Sequence, residues 1–389
     1  MTAGRTVLTA AEVPPLVTGP PHASVADVEV DLPASVTAVL AAFLTRKREA
    51  CAAVAAEFVG AADDLVALVL SGGKRLRPTF AWWGWRGAGG GDAGPGADGA
   101  STGGAPAAAV LHSVAALELI QACALVHDDL IDASDTRRGE PTIHARWTAR
   151  HRAQEWSGPA DRLGAAVAIL LGDVALAWAD DMLRDAALDP AVLTRITPVW
   201  EAMRTEVLAG QFLDVLGQAT DLSDPEGVLR ISRYKTAAYT IERPLHLGAA
   251  LAGAGHEVVD AYRRFGTDLG IAFQLRDDLL GVFGDPAVTG KPAGDDLREG
   301  KRTLLVALAR RHGDEAAPLE AALDVAELDP ATLDGARRTL VRLGVVDEVE
   351  ARIASLTTSA MAALDSVELA EPARDQLAAL AVAATRRSR

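Results

Sequence analysis

AAAVLHSVAALELIQACALVHDDLIDASDTRRGEPT, residues 107–142, is the stretch on which the reading of the fold turns. Its first part is rich in Ala, Leu and Val and contains neither Pro nor Gly, so residues 107–127 read as a buried or largely buried helix. Carboxylates crowd the C-terminal end. Asp128 and Asp132 are four apart and share a face about one turn, roughly 5–6 Å, from each other, with Asp129 beside them. Acids placed there face one another and the negative end of the helix dipole, at a cost of roughly 0.3–1 kcal/mol each, so cations are needed. Arg137 and Arg138 follow at once, then Gly139, on what reads as a turn. Taken alone, DDxxD reads equally well as a solvated helix end or as an acidic site.

A second acidic helix shifts the balance. FGTDLGIAFQLRDDLLGVFGD, residues 265–285, puts Gln274, Asp277 and Asp278 on one side, three and four residues apart. It runs into GDPAVTGKPAGDDLREGKRT, a Gly/Pro-rich loop with Lys291, Asp295, Asp296 and Lys301. Upstream of the first acidic helix lies SGGKRLRPTFAWWGW, residues 71–85. Gly72 and Gly73 end one helix, and Pro78 suits the first turn of the next. Lys74 and Arg77, three apart, would share a face where free N–H groups also favour an anion. A basic surface turn is the commoner outcome, but close backbone approach at two glycines beside three cations tilts the reading toward phosphate. Gln211 and Asp214, one turn apart, fit a buried polar network as well as a site. Lys235 and Thr236 lie in a helix that Pro244 is expected to kink, and are uninformative alone.

The chain of 389 residues is 49% hydrophobic, ample for one large core or two ordinary ones. Residues 1–32, with Pro14, Pro15, Pro20 and Pro21, read as a disordered lead, and residues 33–389 as a single helical domain. A Gly-rich low-complexity loop interrupts that domain at about 86–106. Alternating β-branched runs are missing, so the expected fold is all-α: a bundle of helices with an inward-facing site. A net charge of −15 argues against a nucleic-acid or anionic-membrane partner. Cys51 and Cys123 lie far apart in helical contexts and suggest free thiols in a reducing compartment. No signal peptide is apparent, and the apolar run Leu163–Trp178 is short for a membrane span and contains Asp173. A cytoplasmic protein without a transmembrane segment is expected.

In this order, GGKRLRP, DDLID with RRGEPT, KT, FQLRDD, GK and GDDLREGK resemble the trans-isoprenyl diphosphate synthases, from about Val36 to the C-terminus. The resemblance implies long helices around a deep apolar cavity, with two acid-rich helix ends facing across its mouth. It also implies the chemistry: an allylic diphosphate ionises and isopentenyl diphosphate attacks the carbocation. Three Mg²⁺ ions would serve, two on Asp128 and Asp132 and one on Asp277, with Asp129 and Asp278 behind them; such hard cations suit carboxylate and phosphate oxygens. Arg137, Lys235 and Lys291 would bind the allylic diphosphate, with Lys301 nearby. Thr236, Gln274 and the Lys235 carbonyl would turn dipoles toward the cation. Isopentenyl diphosphate would sit on Gly73, Lys74, Arg77 and Arg138, beside Gln121. The released diphosphate can take the proton, so no protein base is needed. A homodimer is what the family implies.

Two departures stand out. Gln121 replaces a histidine common in the family, keeping a hydrogen-bond donor but losing the capacity for charge. Gly281 replaces the third aspartate of the second acidic motif. Product length should be set below the first motif. Cys123 and Ala124, one turn down, are small where a bulky aromatic would stop growth at fifteen carbons, and Ile120 and Leu119 lie one turn lower. That favours geranylgeranyl diphosphate, with longer products as the alternative. A terpene cyclase would want a different second metal motif and more aromatics than the 4% present. A non-catalytic modulating subunit would be expected to lose an acidic motif.

Overall fold

Aspartate followed by proline opens helix after helix. Asp31, Asp189, Asp224 and Asp329 each accept a hydrogen bond from a backbone N–H in the first turn that follows. Pro33, Pro190, Pro225 and Pro330 stand at the first or second helical position, where a missing N–H leaves no intrahelical bond unmade.

The computed structural model describes residues 24–91, 105–137, 139–284, 294–323, 325 and 328–385. The chain runs through α1 (Val25–Val30), α2 (Leu32–Val54), α3 (Ala56–Leu70), α4 (Leu76–Gly87), α5 (Ala107–Ala115) and α6 (Leu117–Ile131). It continues through α7 (Ile143–Ala153), α8 (Ala160–Asp185), α9 (Pro190–Ala219) and α10 (Pro225–Ser232). A π-helical segment, Arg233–Glu242, leads into α11 (Arg243–Ala252), and α12 (His256–Phe283) carries the second acidic motif. Then come α13 (Asp295–Arg298), α14 (Leu304–Arg310), a 3₁₀ turn (Gly313–Ala316), α15 (Ala317–Glu320), α16 (Pro330–Arg342), α17 (Val345–Leu364) and α18 (Ala373–Thr385).

The all-α expectation holds, with corrections. The lead expected over 1–32 ends early, because Ser24 and Asp27 form a reciprocal cap that starts α1, and Val28 is buried. Residues 1–23 and 92–104 lie outside the described residues. The single helix expected over 107–127 breaks at Ala116 into α5 and α6. Thr136–Arg137 and Glu140–Pro141 form a minimal antiparallel ribbon around Gly139, too short to show as alternation. The run Leu163–Trp178 belongs to the 26-residue α8. By length and hydropathy alone both α5–α6 and α8 could cross a membrane, which corrects the expectation that no segment reaches that length. The apolar window of α5–α6 is 78% buried inside the protein, as a core helix would be, and that of α8 39%.

One hydrophobic cluster joins α2, α4, α5, α6, α8, α9, α11 and the first half of α12. A second gathers the end of α12 with α14, α16 and α17. Roughly 42 Å long at 1.5 Å per residue, α12 spans both and carries its acids in the half that packs into the second.

Candidate active site

A cavity of about 1390 Å³ opens among α6, α8, α9, the π segment and α12, with acids and cations at one end and apolar side chains below. Asp128 and Asp129 end α6, with Asp132 as its C-cap, while Asp277 and Asp278 lie near the end of α12. Both motifs line the same cavity.

The π segment places the residues between them. Pro244 has no N–H with which to close the helical bond to the Thr240 carbonyl, and the turns before it widen, a distortion common at functional sites. The expected kink is thus a change of helix type. Glycines on both sides make room for it. A Cβ at Gly210 of α9 would lie 2.3 Å from the Lys235 nitrogen, and one at Gly270 of α12 would lie 2.5 Å from Ala237 Cα. Lys235, Thr236 and Tyr239 consequently line the cavity.

Lys235 is the central cation. Its Nζ stands 2.5 Å from Asp214 and 3.0 Å from Asp128, which places Asp214 in the site rather than in a separate network. Gln211 lines the same wall, its buried Nε2 without a partner. Burial would lower the pKa of Lys235, but Asp128, Asp214 and Asp132 outweigh it and hold the pKa well above the ordinary lysine value. Arg137 lies 2.6 Å from Asp129 and 3.6 Å from Asp128. Burial pushes the pKa of Asp128 up, yet Lys235, Lys301 and Arg137 together pull it below the usual carboxylate range. Asp128 is therefore attracted by its surroundings, a correction to the repulsion expected from the motif alone. Asp132 behaves as expected: burial and Asp128 push it up to about 6. Lys301 joins the groups, 2.6 Å from Glu299, 3.4 Å from Asp296 and 3.7 Å from Asp132.

Thr236 donates to Gln274 Oε1 at 2.6 Å, and Gln274 Nε2 donates to Asp278 at 2.7 Å. This chain fixes the amide with its oxygen toward Thr236 and leaves hydroxyl lone pairs free beside the cavity. Burial, then Asp296, pushes Asp278 up to about 8. A carboxyl whose folded pKa is raised contributes stability that is fully present below its unfolded pKa near 4 and is lost as pH rises through about 8. In metal-free protein, Asp278→Asn should therefore raise stability by roughly 2–4 kcal/mol more at pH 8.5 than at pH 4. Thermal unfolding at the two pH values checks this, and equal shifts at both would contradict it.

The GGKRLRP segment forms the opposite rim. Gly72 and Gly73 have φ of 99° and 131°, conformations that favour glycine. Helix α4 begins only at Leu76, so Lys74 precedes it and does not share a helical face with Arg77 as expected. Both line the cavity, Lys74 exposed. Arg75 is buried and committed to Glu118 at 2.7 Å, so it anchors the turn. Arg77 donates to Thr240 at 2.9 Å and lies 4.2 Å from the centre of the Tyr239 ring. Tyr239 in turn donates to Gln121 Oε1 at 2.9 Å, which leaves the Gln121 amide N–H groups as donors. Arg138 and Lys291 lie outside the described residues.

Below the acids, Cys123, Ala124 and Ile120 line the cavity. Leu119 does not: it is fully buried in the core, about 100° around the helix from Ile120. Leu176 of α8 and Val207, Leu208 and Phe212 of α9 complete the lower wall. Both cysteines are free and buried, and burial pushes Cys123 up to about 12.

Among the described residues no three His, Cys, Asp or Glu side chains converge closely enough to hold a metal ion by themselves. Mg²⁺ does not need such a cage, since it is usually held by one or two carboxylates together with substrate phosphates. Asp128 from the end of α6, facing Asp277 and Asp278 from α12 in one cavity, fits that mode.

A helical bundle with two acidic helix ends over an apolar tunnel, flanked by a cationic rim, defines a class of enzymes that act on diphosphates carrying apolar tails. The model of the polyprenyl synthetase family matches residues 62–337. The chain belongs to that family and is a trans-prenyltransferase. It is 44% identical to the geranylgeranyl pyrophosphate synthase of Corynebacterium glutamicum, solved with isoprenyl diphosphate and magnesium, over 92% of this chain and 98% of that one, with a TM-score of 0.85. It is 36% identical to the geranylfarnesyl diphosphate synthase of Aeropyrum pernix over 62% of this chain and 68% of the relative. The geranylgeranyl diphosphate synthase of Mycobacterium tuberculosis is 39% identical over 54% of this chain, and the match spans only 55% of that relative.

Proposed function

We propose that this protein condenses isopentenyl diphosphate with an allylic diphosphate in an Mg²⁺-dependent reaction, with geranylgeranyl diphosphate as the main product. Asp128, Asp132 and Asp277 would hold the metal, held in turn by Asp129 and Asp278. When bound, Mg²⁺ neutralises the diphosphate and acts as a Lewis acid on its oxygens. Lys235 and Arg137, with Lys291, hold the allylic diphosphate, and Lys301 adds charge beside it. Lys74, Arg77, Arg138 and the backbone at Gly73 receive isopentenyl diphosphate, with Gln121 as a donor. Thr236, Gln274 and the Lys235 carbonyl turn negative dipole ends toward the allylic carbon as its C–O bond breaks. The low aromatic content and the two retained acidic motifs favour this reading over a cyclase or a modulating subunit.

The tunnel below the first motif carries the product assignment. It passes the small Cys123 and Ala124 and is lined one turn lower by Ile120. Each isoprene unit is about one helical turn long, roughly 5 Å, so the absence of a floor at the first turn admits about one unit beyond farnesyl. A C25 or longer product is the second reading, favoured if Ile120 leans aside. Purified protein with Mg²⁺, isopentenyl diphosphate and several allylic primers tests the proposal by product length. The double variant Cys123→Phe/Ala124→Phe should shift the main product to farnesyl diphosphate. An active double variant with an unchanged product would place the floor at the α8–α9 wall.

A homodimer accompanies this reading. Ile169 and Leu170 of α8 and Leu208, Phe212, Val215 and Leu216 of α9 are large apolar side chains left exposed. On α9 they fall at helical spacing along one face, which suits a second copy. Buried free thiols support a reducing, cytoplasmic setting.

A further inference from the structure

Glu242 closes the π segment and, at 2% exposure, is the most deeply buried charged side chain among the described residues. It does not line the active-site cavity. It belongs instead to a separate cavity of about 750 Å³ between the π segment, α12 and the end of α17. A carboxylate is costly to bury unless it is paired and hydrogen-bonded, and α12 meets both needs. Arg263 Nε donates to Glu242 Oε1 at 3.0 Å, and Thr267 Oγ1 donates to Oε2 at 2.9 Å. The main chains also meet there. A Cβ on Gly266 would lie 2.4 Å from Glu242 Cα and 2.7 Å from its nitrogen, backbone atoms that cannot swing aside.

Two attachments therefore hold the π segment to α12. Gln274 holds its first half at Thr236, while Arg263, Gly266 and Thr267 hold its end. Just before that end come Tyr239, which donates to Gln121, and Thr240, which accepts from Arg77, both at 2.9 Å. The first half has further anchors of its own, the ion pairs of Lys235 with Asp128 and Asp214. We propose that Glu242 is a positioning residue for isopentenyl diphosphate, acting from outside the cavity. Its attachment to α12 sets Tyr239 and Thr240, and these in turn orient the Gln121 amide and the Arg77 guanidinium. The inference rests on the assignment above of Arg77 and Gln121 to that substrate. Because the allylic half of the site is anchored separately, loss of Glu242 is felt by one diphosphate and not by the other.

Calorimetric titration of the Mg²⁺-loaded protein tests this, with isopentenyl diphosphate as one ligand and an unreactive thiolo analogue of geranyl diphosphate as the other. Glu242→Ala should weaken isopentenyl diphosphate binding about tenfold, less than the roughly hundredfold that a 1 Å misplacement can cost in rate. Affinity for the allylic analogue should stay within about twofold of the parent, as for an independent site. Arg77→Ala should weaken isopentenyl diphosphate binding directly, and adding Glu242→Ala to it should cost clearly less than tenfold, since the two changes act through one side chain. Glu242→Gln, which keeps an acceptor and the shape, should recover part of the loss. Equal weakening of both ligands, or full additivity in the double variant, would make Glu242 a general support of the fold and overturn the inference. Parent-like isopentenyl diphosphate binding by Glu242→Ala while Arg77→Ala loses it would overturn the role of Glu242 alone. Parent-like binding by Arg77→Ala would overturn the pocket assignment itself. Should Glu242→Ala fail to fold, Thr267→Val removes one of the two donors and carries the same comparison, with a loss of about threefold expected for one hydrogen bond.

Discussion

Asp128→Asn should lower kcat about a thousandfold, roughly 4 kcal/mol in the barrier, while the protein stays folded. Asp128 lines the cavity between Lys235 at 3.0 Å and Arg137 at 3.6 Å. Asparagine keeps the shape but removes the charge that a metal ion and a departing diphosphate both require. The loss should not come from unfolding. Lys235 retains Asp214, and Arg137 retains Asp129, so neither cation is left without an acid. The sign of the stability change follows from the lowered pKa: a depressed carboxyl contributes stability above its unfolded pKa that is lost as pH falls through its folded value. At neutral pH the variant should therefore be slightly less stable than the parent, by about 1 kcal/mol, and equally stable in acid. Circular dichroism melts at the two pH values, beside initial rates at saturating Mg²⁺, check both halves. Near-normal turnover by this variant, or full activity in EDTA, would remove the metal-site reading.

Lys235→Ala should lower kcat by about 10²–10³-fold, the range for losing one well-placed charge stabiliser in a closed site. Nζ sits between Asp128 and Asp214 at the mouth, where a diphosphate leaving the allylic carbon would gain negative charge. Because that charge develops during bond breaking, the effect should fall on kcat more than on KM. The side chain depends on the path of its backbone, which brings in Gly210. A methyl there would lie 2.3 Å from the Lys235 nitrogen, so Gly210→Ala should push the π segment away and reproduce much of the kcat loss without removing a functional group. Single-turnover rates with the allylic substrate separate ionisation from binding. A change confined to KM for isopentenyl diphosphate would reverse the assignment of the two pockets.

Much of the architecture is legible in the chain because helices are local objects. Asp-Pro starts, Ala/Leu-rich runs without glycine or proline, and acids four apart at a helix end all express themselves within one or two turns. Motif order then names the cavity and most of its polar wall: Asp128, Lys235, Gln274 and Asp277 all reach it. Spacing along one helix, however, says only which residues share a face, and not what that face meets. Asp214 pairs with Lys235 from another helix, Tyr239 meets Gln121 across 118 residues, and Ser134 meets Glu299 across 165. None of these pairings leaves a periodic trace. For the same reason Ile120 and Leu119, adjacent in sequence, part company: one reaches the tunnel and the other the core. Arg75 and Arg77, two residues apart in one basic run, take different partners likewise: Arg75 is buried on Glu118, and Arg77 meets Thr240 and the Tyr239 ring. By itself the sequence determined the helices, the acids at their ends and the family chemistry these imply. Only the tertiary structure decided which cation answers which acid, and that the end of the π segment closes onto Gly266 of α12, because steric exclusion and ion pairing act across space between segments far apart in the chain.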